Sequence, residues 1–320
     1  MYKRQLDTLF EEKFPKIQDK VPDLRHVVVA NVAEFFPLPK RILGRLLKRI
    51  PTGKVVPVSG KTILTFSELL HRYAAKRPRV AVKPEDTCLI QYTGGTTGLP
   101  KGTELTHRNM VANLYQYKNW LGELQEPGTA TTCMAFPFFH LAGLASCMLS
   151  MALSQTQILI PDPRNTTHIC KEIARYRPTI IAHVPTLFQM LLETPMFKSL
   201  DFSTCKACLS GAAPFSIESI RALEDVVGKG KLVELYGMTE ASPLLTANPC
   251  KGMKKIGSVG PPVQSTWLKI VDLEKGTREL PFGEEGEIIA HGPQIMKGYL
   301  NKPDETNHAL REFQGKRWLY

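Results

Sequence analysis

The sequence lacks an apolar start. Met1 to Phe14 mixes charged and apolar residues, so it does not read as a signal peptide. It also lacks the cysteine pattern of a disulfide framework. Its seven cysteines (Cys88, Cys133, Cys147, Cys170, Cys205, Cys208, Cys250) are odd in number and scattered, which predicts reduced thiols in a cytoplasmic protein. Cys205 and Cys208 have redox or zinc spacing, but no second pair follows at a zinc-site distance, so packing cysteines are expected. Glycine and proline are spread along all 320 residues, which excludes collagen-like and low-complexity chains. No repeat of fixed period occurs. A membrane span is also missing. Met134 to Leu153 is mostly apolar, but Pro137, His140, Gly143, Ser146 and Ser150 interrupt it and no basic flank adjoins it. A strand, a turn and a buried helix are expected there.

Acidic residues are almost absent from residues 38–83. Twelve Lys and Arg stand there against the single acid Glu68, so this stretch accounts for the whole net charge of +11. Within Lys40–Ile50, the apolar Ile42, Leu43, Leu46, Leu47 and Ile50 fall in an arc of about 140°, with Arg41, Arg45, Lys48 and Arg49 on the other side. Such a helix suits an anionic membrane surface. It suits equally a helix packed on a core with its basic face in water. No nucleic-acid motif accompanies the charge, so nucleic acid is not an expected partner.

Apolar runs of strand length alternate with helical patterns through the middle of the chain. Strands are predicted at 87–92, 131–136, 157–160, 179–184, 207–209 and 231–236. Helices are predicted at 106–121, with Thr106 as N-cap, and at 141–153, 167–176, 185–193 and 216–227. This is the pattern of an α/β fold, a parallel-sheet subdomain with flanking helices. After Pro249 only strand-like runs remain, at 266–273 and 286–291, so a smaller β-rich subdomain without helices is expected. The aromatic end Trp318-Leu319-Tyr320 predicts that more chain follows.

The chemistry concentrates in Tyr92-Thr93-Gly94-Gly95-Thr96-Thr97-Gly98-Leu99-Pro100-Lys101-Gly102. Glycines let backbone amides approach a ligand closely, and the threonine hydroxyls and Lys101 add donors. Donors without acids, between a strand and a helix, describe a phosphate cradle. A flexible Gly/Thr turn is the plainer alternative. Neither the Walker pattern nor Gly-x-Gly-x-x-Gly can be read here, which disfavours P-loop NTPases and Rossmann dehydrogenases.

This segment resembles the signature of the adenylate-forming (ANL) superfamily of AMP-binding enzymes: acyl-CoA synthetases, coumarate-CoA ligases, beetle luciferases and peptide-synthetase adenylation domains. Phe136-Pro-Phe-Phe-His140, Ser210-Gly-Ala-Ala-Pro214, Glu234-Leu-Tyr-Gly-Met-Thr-Glu240, Gly257-Ser-Val-Gly260 and Gly286…Gly292-Pro…Met296-Lys-Gly-Tyr299 follow in family order. Gly94 and Leu105–Asn113 resemble bacterial long-chain fatty-acid–CoA ligases most. The resemblance implies that a carboxylate attacks the α-phosphorus of ATP, and that coenzyme A then displaces AMP from the acyl-AMP.

It further implies that Thr93, Gly94, Gly95, Thr96, Thr97, Gly98 and Lys101 hold the β- and γ-phosphates. Tyr236 would stack on the adenine beside Gly211, Ala212 and Ala213, and Glu234, Leu235, Gly237 and Met238 would also bind the nucleotide. Thr239 would touch the α-phosphate, Glu240 would bind Mg²⁺ with Thr93 as a second ligand, and His140 would stand near the acyl carboxylate. Taken alone, His140 reads as a packed histidine, Glu240 as a surface acid and Tyr236 as a strand-end residue. Residues 1–83 would complete a preceding subdomain, 84–249 form the AMP-binding subdomain and 250–320 the β-rich one. By this resemblance the chain is a central part of a ligase, inactive alone, without the Thr-Gly-Asp motif and the lid domain with its lysine. Lys101 is not that lysine. A peripheral site on the inner face of the membrane fits the basic segment. An acyl-AMP ligase, an aryl-CoA ligase and a non-catalytic nucleotide- and acyl-binding protein remain as alternatives.

Overall fold

The computed structural model describes residues 2–73, 75–76, 78–94, 99–124 and 126–320. The loop residues Gly95, Thr96, Thr97 and Gly98, and Arg77 of the basic segment, lie outside the described residues. The chain divides into two compact units, 1–81 and 82–320.

In the first unit three parallel strands, Tyr2–Leu6, His26–Ala30 and Thr62–Thr65, lie side by side with His26–Ala30 in the middle. Its β-branched Val27, Val28 and Val29 are buried, as a central strand covered on both faces requires. Phe10 and Phe14 stack at 5.0 Å between ring centroids in the core beneath it. The predicted basic helix spans Leu38–Leu46. It ends before Ile50 because Lys48 adopts a left-handed φ of 52°, which turns the chain. Among the described residues none of the helix's residues is buried, and Leu46 is 75% exposed.

The second unit is built on a six-stranded sheet in the order Leu244–Ala247, Leu232–Gly237, Ala207–Ser210, Ile180–His183, Thr131–Met134, Thr156–Leu159. All neighbours are parallel except the first pair. Side chains alternate between its faces. Cys133, Ile181, Cys208 and Leu232 meet the helices Thr166–Tyr176, Pro185–Leu192 and Ile217–Val227. Met134, Ala182, Leu209 and Val233 meet His107–Leu121 and Leu141–Ala152 on the other side. The predicted α/β architecture therefore stands, with element ends within two residues of those read from the sequence. Cys205 and Cys208 lie buried in this core with sulfurs 3.9 Å apart and no disulfide. Among the described residues no helix is long and apolar enough to cross a membrane.

Three local expectations need correction. The glycine-rich loop does not run into a helix. A strand, Lys101–Thr106, intervenes and pairs antiparallel with Thr87–Thr93, so the loop joins two strands of a hairpin. The sheet gains the edge strand Leu244–Ala247. A helix, Pro303–Ala309, follows Pro249, started by proline in its first turn and by Asp304 and Glu305 favouring its N-terminal dipole. On either side of it in sequence, Trp267–Val271, Glu287–His291, Lys316–Leu319 and Leu310–Phe313 form the β-rich part as an antiparallel sheet.

His183 ends its strand fully buried, against Phe188 at 5.3 Å between rings. Its Nδ1 accepts the Ala135 N–H at 3.3 Å, and burial pushes its pKa down to about 3. The unfolded chain therefore takes up a proton below about pH 6.5 that the folded protein refuses, and stability falls as pH drops from there towards 3. The loss due to this one group approaches about 1.4 kcal/mol per pH unit. Urea unfolding between pH 7 and 4.5 should show a shallower decline in His183→Leu than in the parent. Equal slopes would contradict the assignment.

Candidate active site

At the carboxyl ends of the central strands lies a cavity of about 950 Å³. This is where open parallel sheets bind ligands. Thr93, Gly94 and Lys101, at the two ends of the hairpin, line it together with Leu235, Tyr236, Gly237, Met238, Thr239 and Glu240. Gly211, Ala212 and His140 also line it. Tyr117, Phe136, Ala182, Leu209 and Leu244 line an apolar part. Ala213 is exposed and Glu234 half-buried, and neither is on the cavity wall. The Glu234 carboxylate accepts the Gly257 N–H, while burial pushes its pKa up.

The backbone explains the small residues. A Cβ on Gly237 would fall 1.8 Å from the Pro243 carbonyl oxygen, so only glycine lets the strand end cross that segment. A Cβ on Gly211 would fall 2.7 Å from the Leu235 oxygen. Ala212 sits at φ 68°, a left-handed conformation uncommon for a residue with a Cβ and typical of functional sites. Thr239–Ala241 form one 3₁₀ turn that brings Thr239 and Glu240 to the cavity directly after Gly237.

His140 is not a core histidine. It is exposed at the cavity wall and caps the helix Leu141–Ala152, its Nδ1 accepting the Ala142 N–H at 3.3 Å. With Nδ1 so engaged, the neutral ring carries its proton on Nε2, which is left to donate to a ligand.

Two contacts set the electrostatics. Lys101 Nζ lies 2.5 Å from Glu305 Oε2 and 5.1 Å from the centre of the Tyr299 ring. Lys101 accordingly holds the Glu305 carboxyl below the usual carboxylate range. The Tyr299 hydroxyl donates to Glu240 Oε1 at 2.8 Å. Tyr299, Lys302 and Glu305 all line the cavity, yet the sequence reading gave none of them a role. Tyr299 closes a quoted motif, which was the available signal. Glu305 had none, since an acid in a polar helix reads as solvated surface. Among the described residues no group of three His, Cys, Asp or Glu could hold a metal. One carboxylate beside a polyphosphate suits Mg²⁺, which keeps waters and takes few protein ligands.

A phosphate bound by Lys101 would have to displace Glu305 from it. Glu305→Gln should tighten binding of ATP about two- to fivefold and leave AMP unchanged, as measured by calorimetry. Equal effects on both nucleotides, or none, would count against a phosphate-facing Lys101.

The sequence profile described as AMP-binding enzyme matches residues 8–300. The chain is 38% identical over 322 residues to a long-chain-fatty-acid–CoA ligase of Bacillus subtilis, covering 98% of this chain and 55% of that protein. It is 35% identical over 318 residues to the enzyme of the same name from Escherichia coli O6:H1, covering 97% and 54%. The chain thus spans about half the length of the curated relatives it matches. Its structure resembles that of a long-chain-fatty-acid-CoA ligase from Archaeoglobus fulgidus with a TM-score of 0.73 at 28% identity, over 95% of this chain and 60% of that one. ATP-bound MatB from Rhodopseudomonas palustris shares the fold, with a TM-score of 0.77 at 22% identity over 99% and 64%. With the motifs in order and the match running through nine-tenths of its length, the chain belongs to the AMP-binding enzyme family of the adenylate-forming superfamily.

Proposed function

We propose that the chain carries the nucleotide and acyl sites of an ATP-dependent long-chain fatty-acid–CoA ligase. The observation that carries this reading is that both hairpin ends and Glu240 line one cavity together with an apolar stretch of wall formed by Tyr117, Phe136, Ala182, Leu209 and Leu244. The relatives at 35–38% identity bear that name. A fatty-acid carboxylate oxygen attacks the α-phosphorus, the bond to the bridging oxygen breaks, and pyrophosphate leaves with the electron pair. The thiol of coenzyme A then attacks the acyl carbon and AMP departs.

Charge gathers on phosphoryl oxygens in the first step, so the protein's task is orientation and preorganised donors. Thr93, Gly94 and Lys101 donate to the β- and γ-phosphates, and Thr239 to the α-phosphate. Tyr236 packs on the adenine beside Gly211 and Ala212. His140 Nε2–H donates to the acyl carboxylate. Mg²⁺ held by Glu240, with Thr93 as second ligand, supplies charge neutralisation when bound. The apolar wall takes the alkyl chain. Calorimetry with a palmitoyl sulfamoyl adenosine, a stable mimic of the acyl-adenylate, should give at least a hundredfold tighter binding than AMP. Equal affinity for the two, or no binding of either, would overturn the reading.

The Leu38–Leu46 helix docks on an anionic bilayer. Support comes from its uncovered apolar arc, with Leu43 57% and Leu46 75% exposed, and from the basic residues Arg41, Arg45, Lys48 and Arg49 beside it. The chain should co-sediment with phosphatidylglycerol vesicles, bind phosphatidylcholine vesicles weakly, and lose binding in 0.5 M salt or on Leu43→Asp with Leu46→Asp. Indifference to lipid charge would contradict this.

A further inference from the structure

The segment Gly292–Tyr299 belongs to the last of the family-like motifs, and the proposed reaction leaves it without a task. It is joined twice to Glu240. The Met296 N–H donates to the Glu240 carbonyl at 2.8 Å, and the Tyr299 hydroxyl reaches Oε1 of the same residue from 59 positions away at 2.8 Å. Tyr299 is itself held on several sides. Gly298 and Tyr299 pair antiparallel with Glu104 and Thr103 of the hairpin strand. The Tyr299 N–H donates to Thr306 Oγ1 at 2.9 Å, and the Lys101 ammonium lies over its ring. A Cβ on Gly298 would stand 2.8 Å from Thr306 Cγ2, so the glycine lets Thr306 close on this strand. The phenol is therefore anchored from the hairpin side before it meets the carboxylate.

A glutamate side chain has three rotatable bonds, and its oxygens are loosely placed unless something fixes them. Mg²⁺ demands near-octahedral geometry and takes few protein oxygens, so the direction of a single carboxylate matters greatly. Outer partners of metal-binding carboxylates set that direction. We propose that Tyr299 is a positioning residue: its hydroxyl fixes one oxygen of Glu240 so that the other is presented to the divalent cation of a bound nucleoside triphosphate. The same residue links cation to phosphate loop, because its own short strand, Gly298–Tyr299, pairs with the strand that begins at Lys101. This rests on the reading of Glu240 as the metal ligand.

The test separates the two ideas. ATP binding to the whole chain is measured by calorimetry across a Mg²⁺ titration and again in EDTA, for the parent, Tyr299→Phe, Tyr299→His and Glu240→Gln. Tyr299→Phe keeps the ring and its contact with Lys101 and loses only the hydroxyl. It should raise the Mg²⁺ concentration for half-maximal enhancement of ATP binding about 10- to 100-fold, with the affinity in EDTA unchanged. Tyr299→His, with a ring N–H to donate, should recover part of that loss. Glu240→Gln should remove the Mg²⁺ enhancement. If Glu240→Gln keeps the parent's Mg²⁺ response, the reading of Glu240 itself fails. If Glu240→Gln loses it while Tyr299→Phe behaves as the parent, the positioning role alone is overturned. Equal losses in EDTA and in Mg²⁺ for both Tyr299 variants would mark the tyrosine as merely structural and also overturn it.

Discussion

Three amide side chains on one face of the helix His107–Leu121 hold the site's separate segments in register. Asn109, Asn113 and Gln116 recur at helical spacing and are all buried. Asn109 Nδ2 donates to the carbonyls of Pro293 and Ile295, both at 2.8 Å. Asn113 Nδ2 donates to the Leu244 carbonyl at 3.0 Å, and its Oδ1 accepts the Leu244 N–H at 3.2 Å. Gln116 Nε2 donates to the Gln264 carbonyl at 2.7 Å and to Gln294 Oε1 at 3.2 Å. Apolar packing has no direction, whereas these bonds do. A missing partner would leave a buried amide unpaired, at a cost of about 1–3 kcal/mol.

From that stripe the cavity follows. Thr106 ends the hairpin strand and caps the helix, its hydroxyl accepting the Asn109 N–H at 3.2 Å while Asn109 Oδ1 accepts the Thr106 N–H at 2.9 Å. The helix thereby fixes the hairpin at its start. Through Leu244 it fixes the turn that presents Thr239 and Glu240, and through residues 293–295 it fixes the approach to Tyr299. Segments distant in sequence meet in one place because a single helix reads all of them. The wall they form balances two lysines, Lys101 and Lys302, against two acids, Glu240 and Glu305. In the proposed function, an arriving polyphosphate and its cation would meet opposite charges already placed there.

Much of this was legible in the sequence, for identifiable reasons. The central strands are β-branched or apolar runs, and the helices between them carry clear caps such as Thr106 and Ser216. What was missed was polar. The strand Lys101–Thr106 reads Lys-Gly-Thr-Glu-Leu-Thr, without an apolar run, and is held by its antiparallel partner. The helix Pro303–Ala309 buries no residue and so shows no amphipathic period. The amide stripe was invisible for the opposite reason, since asparagine and glutamine on a helix normally face water. Motif order named Tyr236, Thr239 and Glu240. Only the fold shows that Glu305 occupies Lys101 and that Tyr299 occupies Glu240.

The most direct measurement is a crystal structure of the chain grown with Mg²⁺ and α,β-methylene-ATP. The account predicts the terminal phosphates against the hairpin ends at Thr93, Gly94 and Lys101, the cation on Glu240, and the adenine against Tyr236. A nucleotide bound elsewhere, or one in this cavity whose phosphates point away from the hairpin, would contradict it.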